Sequence, residues 1–128
     1  MKILIFENEI QGIKESFDDV NHLDFNGELV FEYYEKSQTF TRFDSLNEYH
    51  MAFIDIDLST NSEKDGYAII NDFINNYDYK TIVVMTGHEV KDKLKIKGWG
   101  YLKVLEKPIF LDELKSLIDI YFEESTTS

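Results

Sequence analysis

The chain contains no cysteine, and this absence excludes disulfide bonds, thiolate metal sites and cysteine nucleophiles together. Long hydrophobic runs are also missing, since no stretch approaches the roughly 18 apolar residues that a membrane-spanning helix needs. Basic residues are scarce: 13 Lys and Arg stand against 25 Asp and Glu, which gives a formal net charge of −12. A surface this acidic repels phosphate backbones and anionic lipids, so we expect no direct binding to nucleic acid or membranes.

The first residues also lack the pattern of a secretory signal, because carboxylates follow the short apolar run 3–6 at once. The expected location is therefore the cytoplasm. The length of 128 residues suits one domain with a real core, and 43% hydrophobic with 15% aromatic residues excludes disorder. We place the domain at residues 1–122 and interpret residues 123–128 as a frayed polar tail.

Apolar runs alternate with helical patterns along the chain, which is typical of a parallel sheet with crossover helices. We predict strands at residues 3–6, 29–34, 51–55, 81–85 and 101–105. Helical spacing predicts helices at about 10–20, 40–46, 66–77, 89–97 and 111–121. Five strands and five helices in alternation predict an α/β fold, a doubly wound parallel sheet between two layers of helices.

Polar side chains stand at the ends of four predicted strands. These are Glu7 and Asn8 after the first strand, Asp55 at the end of the third, Thr86 after the fourth and Lys107 after the fifth. Because the carboxyl ends of parallel strands meet at one edge of a sheet, these groups should converge there. A carboxylate, a hydroxyl and an ammonium in one place indicate a site for a cation and a phosphoryl group.

This order of residues resembles the receiver domain of two-component response regulators. The resemblance runs from residue 2 to about residue 121 and rests on Asp55, Asp65-Gly66, Thr86-Gly87 and Lys107-Pro108. It implies a five-stranded sheet of order 2-1-3-4-5. It also implies a cis peptide bond before Pro108, the only proline of the chain.

The resemblance further implies that Asp55 is the phosphoacceptor, which receives its phosphoryl group from a histidine kinase or a phosphotransfer protein. Lys107 would contact one phosphoryl oxygen as a point charge, and Thr86 would donate its hydroxyl to another. The output would be contact with a downstream protein effector, and a homodimer is left open. Such a domain assists its own phosphorylation and dephosphorylation but is not an enzyme in the usual sense.

Mg²⁺ is the cofactor that the resemblance implies, held by Glu7, Asn8, Asp55 and the backbone carbonyl of Asp57. Asp57 is also an alternative acceptor, since side chains two apart in a strand point the same way. We prefer Asp55 because receivers place the acceptor at the strand end with an apolar residue next. Asn8 stands where the family has an acid, and the lost charge predicts weakened Mg²⁺ binding.

Two further features depart from the receiver pattern. The loop after Asp55 is long, and it either lies over the site or is a tolerated surface insertion. The aromatic residue usual three positions before the lysine is Val104 here, and Tyr101 stands in another phase. The switch element we expect is instead the segment 89–100, whose four lysines form either a solvated face or a docking surface for an acidic partner.

Three functions follow from these observations. The leading one is a stand-alone receiver that signals through protein contacts. The second is a pseudo-receiver that keeps the fold and binds a partner without phosphorylation, which Asn8 and Val104 favour. The third is a flavodoxin-type carrier, which we disfavour because residues 7–9 lack the hydroxyl- and glycine-rich phosphate cradle that a flavin needs.

Overall fold

A computed structural model describes residues 1–58 and 61–127, with side chains through Phe122. The strands are β1 (Lys2–Phe6), β2 (Val30–Tyr34), β3 (Met51–Asp55), β4 (Ile82–Thr86) and β5 (Lys103–Glu106). The α-helices are α1 (Ile10–Asp24), α2 (Gly66–Tyr77), α3 (Lys91–Ile96) and α4 (Leu111–Thr127). Two 3₁₀ helices, Ser37–Thr39 and Phe43–Glu48, connect β2 to β3. The predicted alternation of strands and helical segments is therefore confirmed.

All five strands are parallel and lie in the order β2-β1-β3-β4-β5, as predicted. Every residue of β3 and of β4 is buried, which explains why these strands are apolar without alternation. In the register, Phe6 lies beside Ile54, and Asp55 lies beside Met85. The carboxyl ends of the central strands are thus level with one another at one edge of the sheet.

Helices cover both faces of the sheet and divide the core in two. One face packs α1 and α4 against β1, β3 and β4 through Ile13, Phe17, Val20, Leu114, Ile118 and Tyr121. The other face packs α2, α3 and the 3₁₀ helices through Phe40, Leu46, Ile69, Ile70, Phe73 and Leu94. The central strand β3 contributes to both cores, with Phe53 on the first and Ile54 on the second.

The second helical position holds two short 3₁₀ helices rather than one α-helix. Phe40 lies in extended backbone between them, and Ser45 interrupts the second one with non-helical dihedral angles. Phe40 makes edge contacts with Phe6 and Phe43, with ring centroids 5.6 and 5.0 Å apart. Aromatic packing of this kind holds the segment against the sheet without a regular α-helix.

In the last third of the chain, the helix and strand boundaries differ from the predicted ones. Helix α3 has only six residues, and β5 begins at Lys103 rather than at Tyr101. Between them, the Trp99 N–H donates to the Leu94 carbonyl at 2.8 Å, and the indole is buried as a loop anchor. Helix α4 continues past residue 122, while the side chains of the predicted tail and all of residue 128 lie outside the described residues.

The long loop after Asp55 is described in part, because residues 59 and 60 of this predicted polar segment lie outside the described residues. Its far end leads into α2, where the Asp65 side chain accepts a hydrogen bond from the Ala68 N–H at 2.9 Å and caps the helix. No helix in the described part of the chain is long and apolar enough to cross a membrane.

Gly66, the first residue of α2, lies close against the backbone at the end of β3. A Cβ atom placed on it would lie 2.2 Å from the carbonyl oxygen of Asp55 and 2.6 Å from the Cα of Ile56. Backbone atoms cannot yield as a flexible side chain would, so only glycine lets α2 start here. The Asp-Gly pair therefore has a steric reason as well as a capping one.

We predict that Gly66→Ala lowers the free energy of unfolding by about 2 kcal/mol or more, because the added methyl must displace backbone. The matched control is Gly12→Ala in α1, where a Cβ meets nothing within 4 Å. This control should raise the free energy of unfolding by roughly 0.5–1 kcal/mol, the usual gain for alanine over glycine in a helix. Urea denaturation measures both, and equal effects of the two substitutions would contradict the steric assignment.

Candidate functional site

Asp55 ends β3 at the carboxyl edge of the sheet, and its side chain is held at both oxygens. Its Oδ1 accepts a hydrogen bond from the backbone N–H of Asp57 at 2.8 Å. Its Oδ2 accepts one from the Lys107 ammonium at 2.7 Å. Only 3% of the residue is exposed, so the carboxylate has one fixed orientation.

Lys107 reaches this carboxylate from the far side of β4. It follows β5, and its backbone N–H donates to the carbonyl of Thr86 at 2.8 Å, which fixes the start of the side chain. The predicted cis peptide bond between Lys107 and Pro108 is present. The ammonium donates to Asp55 and also to Oε1 of Glu7, so one cation joins the ends of β1, β3 and β5.

Glu7 is the most deeply buried acid of the site, with 1% of its surface exposed. Its backbone N–H donates to the carbonyl of Tyr34 at 3.0 Å and so continues the pairing of β1 with β2. Its Oε1 accepts from Lys107, while its Oε2 is buried with no hydrogen-bond partner among the described residues. A buried carboxylate oxygen without a partner is costly, and it marks a place for a proton or a cation.

The two carboxyl groups differ in their pKa values because their surroundings differ. Burial raises the pKa of Glu7 from its ordinary 4.5 to about 8, and neighbouring Asp55 adds to the rise while Lys107 opposes it. Burial also acts to raise the pKa of Asp55, but hydrogen bonds with Glu7, Lys107 and the Asp57 N–H outweigh it and lower that pKa. Asp55 is thus the ionised member of the pair.

Thr86 ends β4 and is fully buried, but its hydroxyl is engaged in the turn that follows. The hydroxyl donates to the carbonyl of His88 at 2.8 Å and accepts from the His88 N–H at 3.1 Å. The His88 imidazole in turn lies 3.4 Å from the carboxylate of Asp57, and both side chains are more than half exposed. This bridge links the segments after β3 and β4 on the solvent side of the site.

The donor set at this edge fits a divalent cation. Glu7 and Asp55 supply carboxylate oxygens, one of them unpartnered, and half-buried Asn8 follows Glu7 directly. Asp57 would add its backbone carbonyl as a ligand, and its own side chain is more than half exposed. Within residues 1–58 and 61–127, no group of three or more His, Asp or Glu side chains is placed to hold a metal ion. A cation here would rest on two acids and neutral oxygens.

Comparisons with known proteins find similarity in structure rather than in sequence. No family model and no curated protein matches the chain. The response regulator receiver domain protein from Clostridium thermocellum matches with a TM-score of 0.75 at 19% identity, over 98% of this chain and 97% of that one. The signal receiver domain of a DNA-binding response regulator from Colwellia psychrerythraea 34H gives 0.74 at 17% identity, over 96% and 98%.

A two-component response regulator from Clostridium difficile gives a TM-score of 0.69 at 22% identity, over 96% of each chain. The chain has the fold of a receiver domain. The predicted fold and strand order are therefore confirmed by full-length structural likeness as well as by the sheet itself. At sequence identities this low, the similarity shows only the fold, so the roles of individual residues rest on the geometry described above.

Some residues that the sequence singled out do lie together at the carboxyl edge of this receiver fold, and others do not. Asp55, Glu7 and Lys107 share hydrogen bonds, and Asn8 adjoins them in the chain. Val104, by contrast, lines a groove of about 740 Å³ between α3, β5 and α4. Tyr101 precedes β5 and is half exposed. The role of His88 as a partner of Thr86 went unpredicted, since both of its bonds to Thr86 involve backbone atoms.

The four lysines of the segment 89–100 lie in two different places on the receiver fold. Lys93 and Lys97 lie over the ring of Tyr67, at 4.8 and 5.3 Å from its centroid. Lys91 and Lys95 line the groove between α3, β5 and α4. The basic cluster seen in sequence is therefore two pairs, each at helical spacing of four residues.

We predict that Glu7→Gln flattens the pH dependence of stability in metal-free buffer. Since the pKa of Glu7 rises from 4.5 to about 8 on folding, its contribution to stability is fully present below pH 4.5 and is lost as pH rises through about 8. Between pH 5 and 8.5 the native protein should lose roughly 1–3 kcal/mol more than the variant. Urea denaturation at each pH measures this.

The matched control is Glu9→Gln, which removes an exposed carboxylate next to the same strand end. This control should follow the native profile. If Glu7→Gln also runs parallel to the native protein, Glu7 is ionised in the folded state and the assignment of a raised pKa is wrong.

Proposed function

We propose that the chain is a phosphoryl-accepting receiver in which Asp55 takes a phosphoryl group from a phosphohistidine of a kinase or phosphotransfer protein. The observation that carries the proposal is the fixed Asp55 carboxylate, bound at one oxygen by the Asp57 N–H and at the other by Lys107. Its lowered pKa keeps the group ionised, as a nucleophile must be. The receiver fold supports the same conclusion.

In the proposed transfer, an oxygen of Asp55 attacks the phosphorus atom of the donor. The bond between phosphorus and the donor's imidazole nitrogen breaks, and the electron pair stays with that nitrogen. The new bond makes an acyl phosphate. Lys107 offsets the negative charge on the phosphoryl oxygens, and it needs no reorganisation because it already lies against the acceptor at 2.7 Å.

A divalent ion, which we propose to be Mg²⁺, would supply further positive charge to offset the repulsion between the carboxylates and the phosphoryl oxygens. The residues that would hold it are Glu7, Asn8, Asp55 and the Asp57 carbonyl. Glu7 offers its unpartnered Oε2 and would lose its proton on binding. Asn8 contributes an amide oxygen without charge, so the affinity of the site for the ion is reduced.

The proposed output is a change in contact with a downstream protein. Thr86 would leave its bond to the His88 carbonyl and donate to a phosphoryl oxygen. Because His88 also contacts Asp57, that exchange would disturb the bridge on the solvent side of the site. The turn after β4 leads directly into α3. A change in that turn would therefore move α3.

A pseudo-receiver is the second candidate, and specific observations favour it. The acidic pair is reduced to one acid by Asn8, and the hydroxyl of Thr86 is bound within its own turn. In this case the Asp55–Lys107–Glu7 cluster would serve only to hold the strand ends together, and a partner would bind without phosphorylation.

We predict that acetyl phosphate with Mg²⁺ adds one phosphoryl group to the native protein, and that Asp55→Ala abolishes the adduct. Intact mass measures the addition. The matched control is Asp57→Asn, which keeps the backbone carbonyl and N–H of the alternative acceptor and should keep the adduct. An adduct on Asp55→Ala would assign acceptance to another residue, and a native protein that takes no phosphoryl group would favour the pseudo-receiver.

We predict that Asn8→Asp tightens Mg²⁺ binding by about tenfold or more. One unit charge near 4 Å is worth up to ~4 kcal/mol at an effective dielectric constant of ~20 before desolvation, so a tenfold gain needs only part of it. Asn47→Asp is the control, because it adds the same charge to an exposed position before β3, at the opposite edge of the sheet. Calorimetric titration measures both, and equal affinities of Asn8→Asp and the native protein would exclude Asn8 from the ion.

A further inference from the structure

The loop between β3 and α2 starts and ends against the acceptor. At its start, the Ile56 N–H donates to the Met85 carbonyl at 3.0 Å, and the next N–H, of Asp57, donates to Asp55 Oδ1. At its end, the Gly66 N–H donates to the Ile56 carbonyl at 3.2 Å. Both ends of the loop are therefore hydrogen-bonded next to the acceptor, and Asp57 is bonded to its side chain.

The described far limb of this loop, residues 61–64, is held by a segment from another part of the fold. The Gln38 side-chain amide donates to the carbonyl of Asn61 at 2.8 Å and accepts from the N–H of Glu63 at 2.9 Å. Gln38 thus pairs with the loop backbone as a neighbouring strand would, with one donor and one acceptor.

The residue before Gln38 adds a second pair of bonds to the same limb. The Ser37 N–H donates to the hydroxyl of Ser62 at 2.8 Å, and the Ser37 hydroxyl accepts from the Lys64 N–H at 2.9 Å. The Ser62 hydroxyl donates in turn to the Lys64 carbonyl at 2.7 Å. We call these contacts of Ser37 and Gln38 with residues 61–64 the clasp.

The clasp connects segments that follow two strands on either side of β1. Ser37 and Gln38 come just after β2, and the loop comes after β3, while β1 between them leads into Glu7 and Asn8. A cavity of about 180 Å³ lies beside the clasp, lined by Phe6, Phe40 and Ile69 as well as by clasp residues. The limb is held beside this cavity by the hydrogen bonds of the clasp and by the ion pair of Lys64 with Asp72 in α2.

We propose that Ser37 and Gln38 are positioning residues for phosphoryl transfer: by clasping residues 61–64 they fix the loop and thereby the N–H and carbonyl of Asp57 at the acceptor. The proposal rests on the proposed function and adds to it a specific role for the 3₁₀ segment after β2. A loop free at its far limb would let the Asp57 peptide groups sample other orientations. The acceptor carboxylate would then lose a fixed hydrogen bond, and the ion a fixed ligand.

The test compares the native protein with Gln38→Ala and Ser62→Ala, which open the clasp from its two sides. Ser116→Ala is the control, because it removes an exposed side-chain bond, to the Asp112 carbonyl in α4. Two readouts are needed: amide hydrogen exchange of Asp57 and the rate of phosphoryl uptake from acetyl phosphate. The Ile56 amide, bonded to β4, is an internal reference whose exchange should not change.

Loss of the two Gln38 hydrogen bonds should speed Asp57 exchange and slow uptake, each by roughly fivefold or more, with the melting temperature close to that of the control. Ser62→Ala should change both readouts in the same direction. Unchanged Asp57 exchange, or faster exchange with native uptake, overturns the positioning role alone. A native protein that takes up no phosphoryl group removes the proposed function, and the positioning role falls with it.

Discussion

The site depends on one ammonium group that lies between two buried carboxyl groups. Lys107 must reach across the end of β4 to touch Asp55 in β3 and Glu7 after β1. Two carboxyl groups at such depth are tolerated only with a counter-charge, because an uncompensated buried charge costs several kcal/mol. The same contact that makes the acid pair tolerable also brings three strand ends together, so the geometry of the edge and the charge of the site have one origin.

One ammonium cannot neutralise two carboxylates. The surroundings of the two groups favour ionisation of Asp55 over ionisation of Glu7. Asp55 accepts hydrogen bonds from Lys107 and from the Asp57 N–H, which favour its ionised form, whereas Oε2 of Glu7 has no partner among the described residues. The pKa values of the two are therefore driven apart, as they are where neighbouring carboxyl groups take different roles. Under the proposed function, Asp55 is free to act as nucleophile, and Glu7 exchanges its proton for a cation. Proton release on ion binding is then a property of this particular pair.

The sequence predicts the fold and the convergence of the site because both depend on short-range patterns. Buried strands read as apolar runs, and parallel strands bring their ends to one edge, so Asp55, Lys107 and Glu7 could be placed without coordinates. The clasp could not be predicted, because Gln38 lies 23 residues from Asn61 in the sequence and a polar side chain does not indicate which backbone groups it will bond to. Prediction has the same limit for the hydroxyl of Thr86. The end of β4 determines where this hydroxyl lies, but the turn after β4 determines which groups it bonds to.

Val104 leaves β5 without an aromatic side chain at this position, but an aromatic ring of α2 contacts the segment of α3. Asp65 caps α2, and two residues later Tyr67 lies beneath Lys93 of α3 and beneath Lys97, which follows α3 directly. Burial raises the pKa of Tyr67, and the charges of Asp57 and Asp65 add to the rise. Helix α3 has six residues and buries only Leu94 of its own, so the lysine contacts with Tyr67 add to its attachment to α2. Under the proposed function, the contact of Tyr67 with these lysines would connect the loop after Asp55 to α3 through the first turn of α2, without passing through β5.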